Sequence, residues 1–577
     1  MVIVSAAAAL LGALPLAALA GGTPKTDTQI GQRMADKSAR GFCTMIAKID
    51  GALTPAQTAQ MAALGADITR HLGFIHSVAL TLPSRNLSKL AALPFVSHLS
   101  YDGEVKKCDE FTMGGTGADV AYSTYGFDGT GVTVAVVDSG IAAKSKDLKN
   151  QIVDAVSFVP YDGSTDDACG HGTHIAGIIG GNGGASSDKN CFKTFYGVAR
   201  NVGEVNVRVL DANGQGSVSS VLAGIQWVIN NKDNDRISVL NLSLGHPVGE
   251  SYTTDPLCQA VERAWKAGIV VVCAAGNNGR MNTASTAGTA NEGWGTAYGS
   301  IQSPANDPYV ITVGAAKQAV KTNGNGRGDG GRKNATDLIA TYSSRGPSRL
   351  DLILKPDIIA PGNRVISVVA HNSALFYYDG GTNQIPLSFY SNKGHVDDPS
   401  NAYFRLSGTS MAAPVVAGAA ALMLQKDPTL TPDTIKARLM VSADKWLDSN
   451  GSPDPCTYGA GYLDIPEALE STVTTTRYAL SPQLTLTTGG DVLINTSLTI
   501  YGSKALSGVS TVWGSKAISG VKTLYGSKAI SGINTIAASK AVSGVTTIYS
   551  SSVWADKTLS GSSSTAVDLT SVALSGE

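Results

Sequence analysis

Between Gly131 and about Glu470, short runs of β-branched residues alternate with stretches of helical character. The runs are Val132 to Val137, Val205 to Val209, Ser238 to Leu242, Ile269 to Val272 and Val310 to Val313; Val218 to Asn230 and Leu257 to Ala267 are helical stretches between them. A strand that is apolar at nearly every position needs cover on both faces. A parallel sheet with helices packed on either side supplies that cover. The predicted fold class is therefore α/β, a doubly wound and mostly parallel sheet. In such a sheet, active sites form beyond the carboxyl ends of the strands.

The 577 residues leave room for two or three folded units. A net charge of −1, with only 15% of residues charged, provides no basic patch for a nucleic-acid partner. The seven cysteines, at 43, 108, 169, 191, 258, 273 and 456, form no CxxC pair, so neither a zinc finger nor a thioredoxin-like motif is present. Cys273 lies in an apolar run and reads as a buried free thiol. Cys169 and Cys191 either bridge a loop in an oxidising compartment or both stay reduced.

Residues 1–20 are almost wholly apolar and end in Ala18-Leu19-Ala20, a small-residue cleavage pattern. They read as a signal peptide that sends the chain out of the cell, although no Lys or Arg precedes the apolar stretch. Residues 21–41 read as a polar linker. Residues 42–106 read strand–helix–strand–helix–strand, which predicts a small α+β domain of ferredoxin-like type. Residues 107–470 hold the alternating pattern. Residues 471–577 shift to Ser, Thr, Gly, Val and Ile, with a twelve-residue repeat marked by Tyr501, Trp513, Tyr525 and a degenerate copy at Ala537. Such a period predicts stacked β-units; a flexible Ser/Gly stalk is the rival reading.

Three segments carry chemistry. An apolar strand ends in Asp138-Ser139-Gly140, where a carboxylate can accept an imidazole N–H and fix its tautomer. In Gly170-His171-Gly172-Thr173-His174, a histidine flanked by glycines opens a helix of small residues and suits a general base. His174, one turn on, has no HExxH context and no carboxylate third ligand, so a packed histidine is expected there instead of a metal ligand. In Gly408-Thr409-Ser410-Met411-Ala412-Ala413-Pro414, a serine stands at the start of an apolar helix. The free N–H groups at that helix end suit a developing oxyanion. Taken singly, an Asp cap, a core histidine and a serine N-cap would each be commoner.

Together, in the order Asp, His, Ser, these segments resemble the subtilase family of serine peptidases (peptidase family S8), over roughly Gly115 to Leu469. The resemblance implies a triad of Asp138, His171 and Ser410. It implies that Asn277, in Cys273-Ala-Ala-Gly-Asn277, donates its amide to the oxyanion. It implies that Ser243, Leu244 and Gly245 form one wall of the main specificity pocket and Ala274, Ala275 and Gly276 the other. Ser343 to Pro347 and Lys355 to Gly362 match further family segments and are read as scaffold. The 42–106 domain resembles the family's inhibitory propeptide, of the inhibitor I9 kind, with self-cleavage between Val105 and Gly115.

The expected activity is that of a secreted serine endopeptidase, made as a self-processing zymogen and acting on proteins and peptides through an acyl-enzyme. No cofactor is required for this chemistry. Structural calcium, frequent in the family, has one weak candidate ligand in Asp147, nine residues after Asp138, but the loop Gly180 to Gly184 departs from the usual calcium loop. The alternatives are a non-enzymatic surface protein with a degenerate peptidase domain, and a peptidase whose repeats contact a cell surface or polysaccharide.

Overall fold

The computed structural model describes residues 25–26, 30, 33–34, 41–72, 76–101, 113–281, 296–317, 338–378, 383–392, 399–446, 454–475, 478–486, 492–495 and 564–566. The signal-peptide reading, most of the linker, Cys108 and the twelve-residue repeats fall outside them. The chain divides into two units at Lys106/Lys107.

The first unit runs β1 (Phe42–Ile49), α1 (Pro55–Ala63), β2 (Asp67–Leu72), β3 (Ser77–Pro83), α2 (Leu87–Ala91) and β4 (Val96–Tyr101), with sheet order β2-β3-β1-β4. All three pairings are antiparallel, which is the split β-α-β arrangement expected from the sequence. Alternation buries Cys43, Met45, Ala47 and Ile49 of β1. A capping box starts α1: the Thr54 hydroxyl accepts from the Gln57 N–H, and Gln57 Oε1 accepts from the Thr54 N–H at 2.8 Å. Strand β2 is an addition to the sequence reading. Most of its side chains are exposed, so it carries no apolar alternation to betray it.

The second unit is built on an eight-stranded sheet. Its strands are β5 (Thr133–Asp138), β6 (Ile152–Ser157), β7 (Gly203–Arg208), β9 (Ile237–Leu242), β10 (Val270–Ala274), β11 (Ile311–Lys317), β12 (Leu338–Ile339) and β13 (Ile358–Pro361); the short β8 (Gln215–Ser217) lies off it. The order is β12-β11-β10-β9-β5-β7-β6, with β13 also beside β11. Every pairing is parallel except that of the edge strand β12. Helices α3 (His171–Gly180), α4 (Val218–Asn231), α5 (Pro256–Lys266), α6 (Thr409–Lys426) and α7 (Pro432–Ser442) accompany the sheet. Helix α6 is buried from Thr409 through Leu424, hence apolar on every face. A second antiparallel sheet, of order β14-β16-β15, joins β14 (Val365–Val368), β15 (Gln384–Pro386) and β16 (Pro399–Leu406); β16 delivers the chain to α6. Because β10, β9 and β5 are parallel neighbours, the segments after Ala274, Leu242 and Val137 emerge side by side at one end of the sheet.

The structure decides between the two readings left open for the loop cysteines and carries the second unit past its expected end. Cys169 and Cys191 form no disulfide. Both are free thiols, with Cys169 sealed in the core just before α3 and Cys191 partly exposed, its backbone bridged to Ser391. The second unit also runs on past residue 470, where the sequence reading ended it. Leu354 N–H donates to the Pro482 carbonyl, Leu484 N–H to that of Leu352, and Arg438 Nε to that of Val473. Ser481 Oγ also donates to Asp357, whose carboxylate is shared by the buried Lys355 (2.7 Å) and Lys436 (3.3 Å). Of the tail beyond residue 486, Val492–Asn495 pairs with Gln483–Leu486 and Ser564–Ala566 pairs with β8. No helix among the described residues is long and apolar enough to cross a membrane.

Candidate active site

Strand β5 is buried throughout and ends in Asp138, itself 1% exposed. His171 Nδ1 donates to Asp138 Oδ1 at 2.8 Å, since an ionised carboxylate can only accept. The same oxygen takes the Ser139 N–H at 2.7 Å. The imidazole is 3% exposed. Its tautomer is thereby set, with the proton on Nδ1 and the lone pair on Nε2.

What aims the imidazole is a carboxylate that sequence reasoning passed over. Asp167 Oδ1 accepts from the Gly170 N–H (2.7 Å) and Ser139 Oγ (2.8 Å); Oδ2 accepts from the Thr173 N–H (2.8 Å) and Thr173 Oγ1 (2.6 Å). It therefore caps the helix that begins with His171 and ties that end to the residue after Asp138. Burial pushes its carboxyl up, and the hydrogen bonds pull it back. An Asp four positions before the histidine, just ahead of a helix start, was the available signal. Ser139 Oγ in turn accepts from the Gly172 N–H at 3.0 Å. A side chain at Gly172 would lie 2.2 Å from the Gly140 carbonyl oxygen, so the two loops approach this closely only with glycine at 172.

Ser410 is the second residue of α6, which packs against α3 and against β9 and β10. Its Oγ donates to the Ser243 carbonyl at 3.1 Å, and Ser243 Oγ donates to the Ser410 carbonyl at 2.8 Å. On the other side, Gly276 N–H donates to Thr409 Oγ1 at 3.0 Å. Asn277 Oδ1 accepts from the Thr409 N–H (2.9 Å) and from Thr409 Oγ1 (3.1 Å). These donors fix the amide so that its oxygen faces the helix and its Nδ2 is left to donate elsewhere. Ser243–Gly245, Ala274–Gly276, Asn277 and Ser410 are thus linked by hydrogen bonds, and the Asp138–His171 pair stands on the neighbouring strand and helix.

Residues 129–461 match the family profile of subtilases, peptidase S8. The chain is 36% identical over 393 residues to serine protease AprX of Bacillus subtilis (strain 168), covering 67% of this chain and 77% of that protein. It is 33% identical to subtilisin DY of Bacillus licheniformis, covering 60% and 93%. With an extracellular serine proteinase of Thermus sp. (strain Rt41A) it shares 30% identity, covering 75% and 93%. The chain belongs to the subtilase family. It is accordingly a serine endopeptidase.

Two further residues of this subtilase bear on metals. His174 is buried, with Nε2 3.3 Å from the Phe404 carbonyl oxygen, and burial beside His171 lowers it to about 3, so it stays neutral. Asp147 does not fit its role as a calcium candidate. Its Oδ1 accepts from the Ala185 N–H (2.6 Å) and its Oδ2 from Tyr403 Oη (2.7 Å), which also bonds Ser186 Oγ. Each carboxylate oxygen already accepts a hydrogen bond, one from the loop backbone and one from the packed aromatic cluster, and burial pushes this carboxyl up. Among the described residues, no group of three or more His, Cys, Asp or Glu could hold a metal.

Proposed function

We propose that Asp138, His171 and Ser410 act as the catalytic triad of this peptidase, with Asn277 Nδ2 and the Ser410 backbone N–H holding the oxyanion. The observation carrying this reading is the buried 2.8 Å bond between His171 Nδ1 and Asp138 Oδ1. A hydroxyl proton serves one acceptor at a time, so Ser410 Oγ must turn from the Ser243 carbonyl to His171 Nε2. As that proton passes to Nε2, Oγ bonds to the scissile carbonyl carbon. Collapse of the tetrahedral adduct expels the amine, which takes the proton from His171. Water then repeats the sequence on the acyl-enzyme and restores Ser410. The Ser243–Gly245 backbone pairs with the extended substrate as an added strand, and Ala274–Gly276 forms the opposite wall of the main specificity pocket.

The 42–106 unit serves as an inhibitory propeptide, cut from the rest between Val105 and Gly115 by the chain itself. Export follows from the apolar 1–20 segment and accords with the name of the extracellular Thermus relative. A fluorophosphonate probe tests the triad, with labelling expected of the wild type and not of Ser410→Ala. Incubation of purified proprotein followed by N-terminal sequencing tests the maturation. A wild-type chain that stays intact and takes no probe refutes both.

A further inference from the structure

Two glycines on facing segments have their free sides filled by a single side chain. A methyl group placed on Gly245 would lie 3.0 Å from Gln302 Oε1 and 3.2 Å from its Cβ. One placed on Gly276 would lie 2.8 Å from Gln302 Cγ and 2.9 Å from Cδ. Gln302 therefore spans the gap between the Ser243–Gly245 and Ala274–Gly276 segments.

Its backbone is pinned to both. The Gln302 N–H donates to the Ala275 carbonyl at 3.1 Å. The next residue, Ser303, exchanges two backbone hydrogen bonds with His246, just past Gly245, at 3.0 and 2.9 Å. Ser303 Oγ is also tied to Asp255 Oδ2 at 2.7 Å, which holds the segment from behind. Gln302 thus sits on a rigid bridge between two segments that each hydrogen-bond to the start of the Ser410 helix. The side chain is partly exposed, and among the described residues its carboxamide has no hydrogen-bond partner.

We propose that Gln302 is the floor of the main specificity pocket and selects uncharged polar side chains at the residue before the scissile bond. This rests on the reading of the two segments as pocket walls. The carboxamide shortens the slot, which disfavours large aromatic rings. It offers one acceptor and two donors to an incoming amide or hydroxyl. The other atoms nearest to Gly245 and Gly276 are the Ser303 carbonyl oxygen and Ser344 Oγ, both uncharged, and an ionised side chain buried without a partner is costly. A site built to hydrogen-bond its ligand rejects an isostere that leaves its polar groups unpaired.

Fluorogenic tetrapeptides that differ only in Gln, Leu or Phe before the scissile bond test this on the matured enzyme. Ratios of kcat/KM within one preparation cancel the active fraction, so a partly misfolded variant remains informative. The wild type is expected to favour Gln over Phe at least tenfold. Gln302→Ala opens the slot and should reverse that ratio. Gln302→Met fills the slot without hydrogen bonds and should lower Gln about tenfold relative to Leu while Phe stays disfavoured. A wild type that cleaves peptides and takes the fluorophosphonate, but whose ranking survives both substitutions, refutes the role of Gln302 alone. Retention of the Gln preference in Gln302→Met refutes the hydrogen-bonding half. A wild type that neither cleaves nor labels overturns the peptidase reading, and the pocket with it.

Discussion

Asp167→Asn is the sharpest probe of how the histidine is held. The substitution keeps the shape of the side chain and replaces one acceptor oxygen with an NH₂ group. The four contacts at 2.6–2.8 Å all come from donors aimed at Asp167. Whichever way the amide turns, two of those donors meet another donor. Two hydrogen bonds are lost and buried N–H or O–H groups are left unpaired; Thr173 or Ser139 can rotate its hydroxyl to recover part. Because burial already works against the ionised carboxyl, the net loss falls at about 2–4 kcal/mol instead of the full sum of four charge-assisted bonds. An active peptidase digests its own unfolded chain, so stability is best measured by thermal unfolding with Ser410→Ala present in both proteins. The midpoint should fall by on the order of 5 °C or more. With Ser410 intact, kcat/KM should fall roughly 10- to 100-fold, because a displaced imidazole no longer meets the hydroxyl in line. A midpoint within a degree of the parent together with unchanged kcat/KM would refute the claim that Asp167 positions His171.

Asn277→Ala should lower kcat by about 10²- to 10³-fold with KM little altered, since the amide is needed only when the oxyanion forms; an effect confined to KM would exclude that role. Glu204 on β7 is fully buried with both oxygens unpartnered among the described residues, and burial holds its carboxyl well above the usual range. Below about pH 4 both folded and unfolded chains carry that proton; above it the unfolded chain ionises first, costing stability by about 1.4 kcal/mol per pH unit until the raised folded value is passed. Glu204→Gln should therefore be the more stable chain in the Ser410→Ala background, by a margin that widens from pH 5 to pH 8 in thermal melts; a constant margin contradicts the assignment. Truncation after residue 470 should destabilise the peptidase unit by roughly 3–5 kcal/mol, because it strips Ser481 from the buried Asp357–Lys436 cluster, whereas truncation after residue 495, which keeps Ser481 and removes the short Ser564–Ala566 pairing with β8, should cost far less. Equal melting of the two truncated chains would show residues 471–486 to be dispensable.

Much of the sheet was legible because burial on both faces leaves a plain trace. Thr133–Asp138 and Val270–Ala274 are apolar runs with every residue buried, and each ends where a site residue or pocket wall begins. The His171 and Ser410 helices announced themselves through their flanking glycines and small residues. What escaped the reading depends on distant partners. Strand β2 exposes most of its side chains, so it carries no period. Asp167 looks like any loop aspartate until Ser139, Gly170 and Thr173 converge on it. Gln302 lies in no motif, and its place between Gly245 and Gly276 comes from backbone bonds to Ala275 and His246. The sequence left Cys169 and Cys191 open between a bridge and two thiols, because spacing cannot tell a sealed core position from a loop.

The C-terminal edge of the catalytic unit makes the same point with charge. Composition changes near Thr472, yet Lys436 is wholly buried with its ammonium donating to the carbonyls of Pro308, Tyr309 and Val310 and to Ser481 Oγ. Burial lowers that lysine to about 7 despite the neighbouring Asp357. A cation held this far from water needs every acceptor it has, and Ser481 is the one supplied from beyond the family match, which ends at residue 461. Lys355 and Asp307 also face this lysine, the first as a competing cation and the second as a buried carboxyl pushed up to about 7. The Ser/Thr-rich composition after residue 471 therefore begins inside the folded enzyme: its first stretch completes a buried ion cluster where β11 and β13 begin.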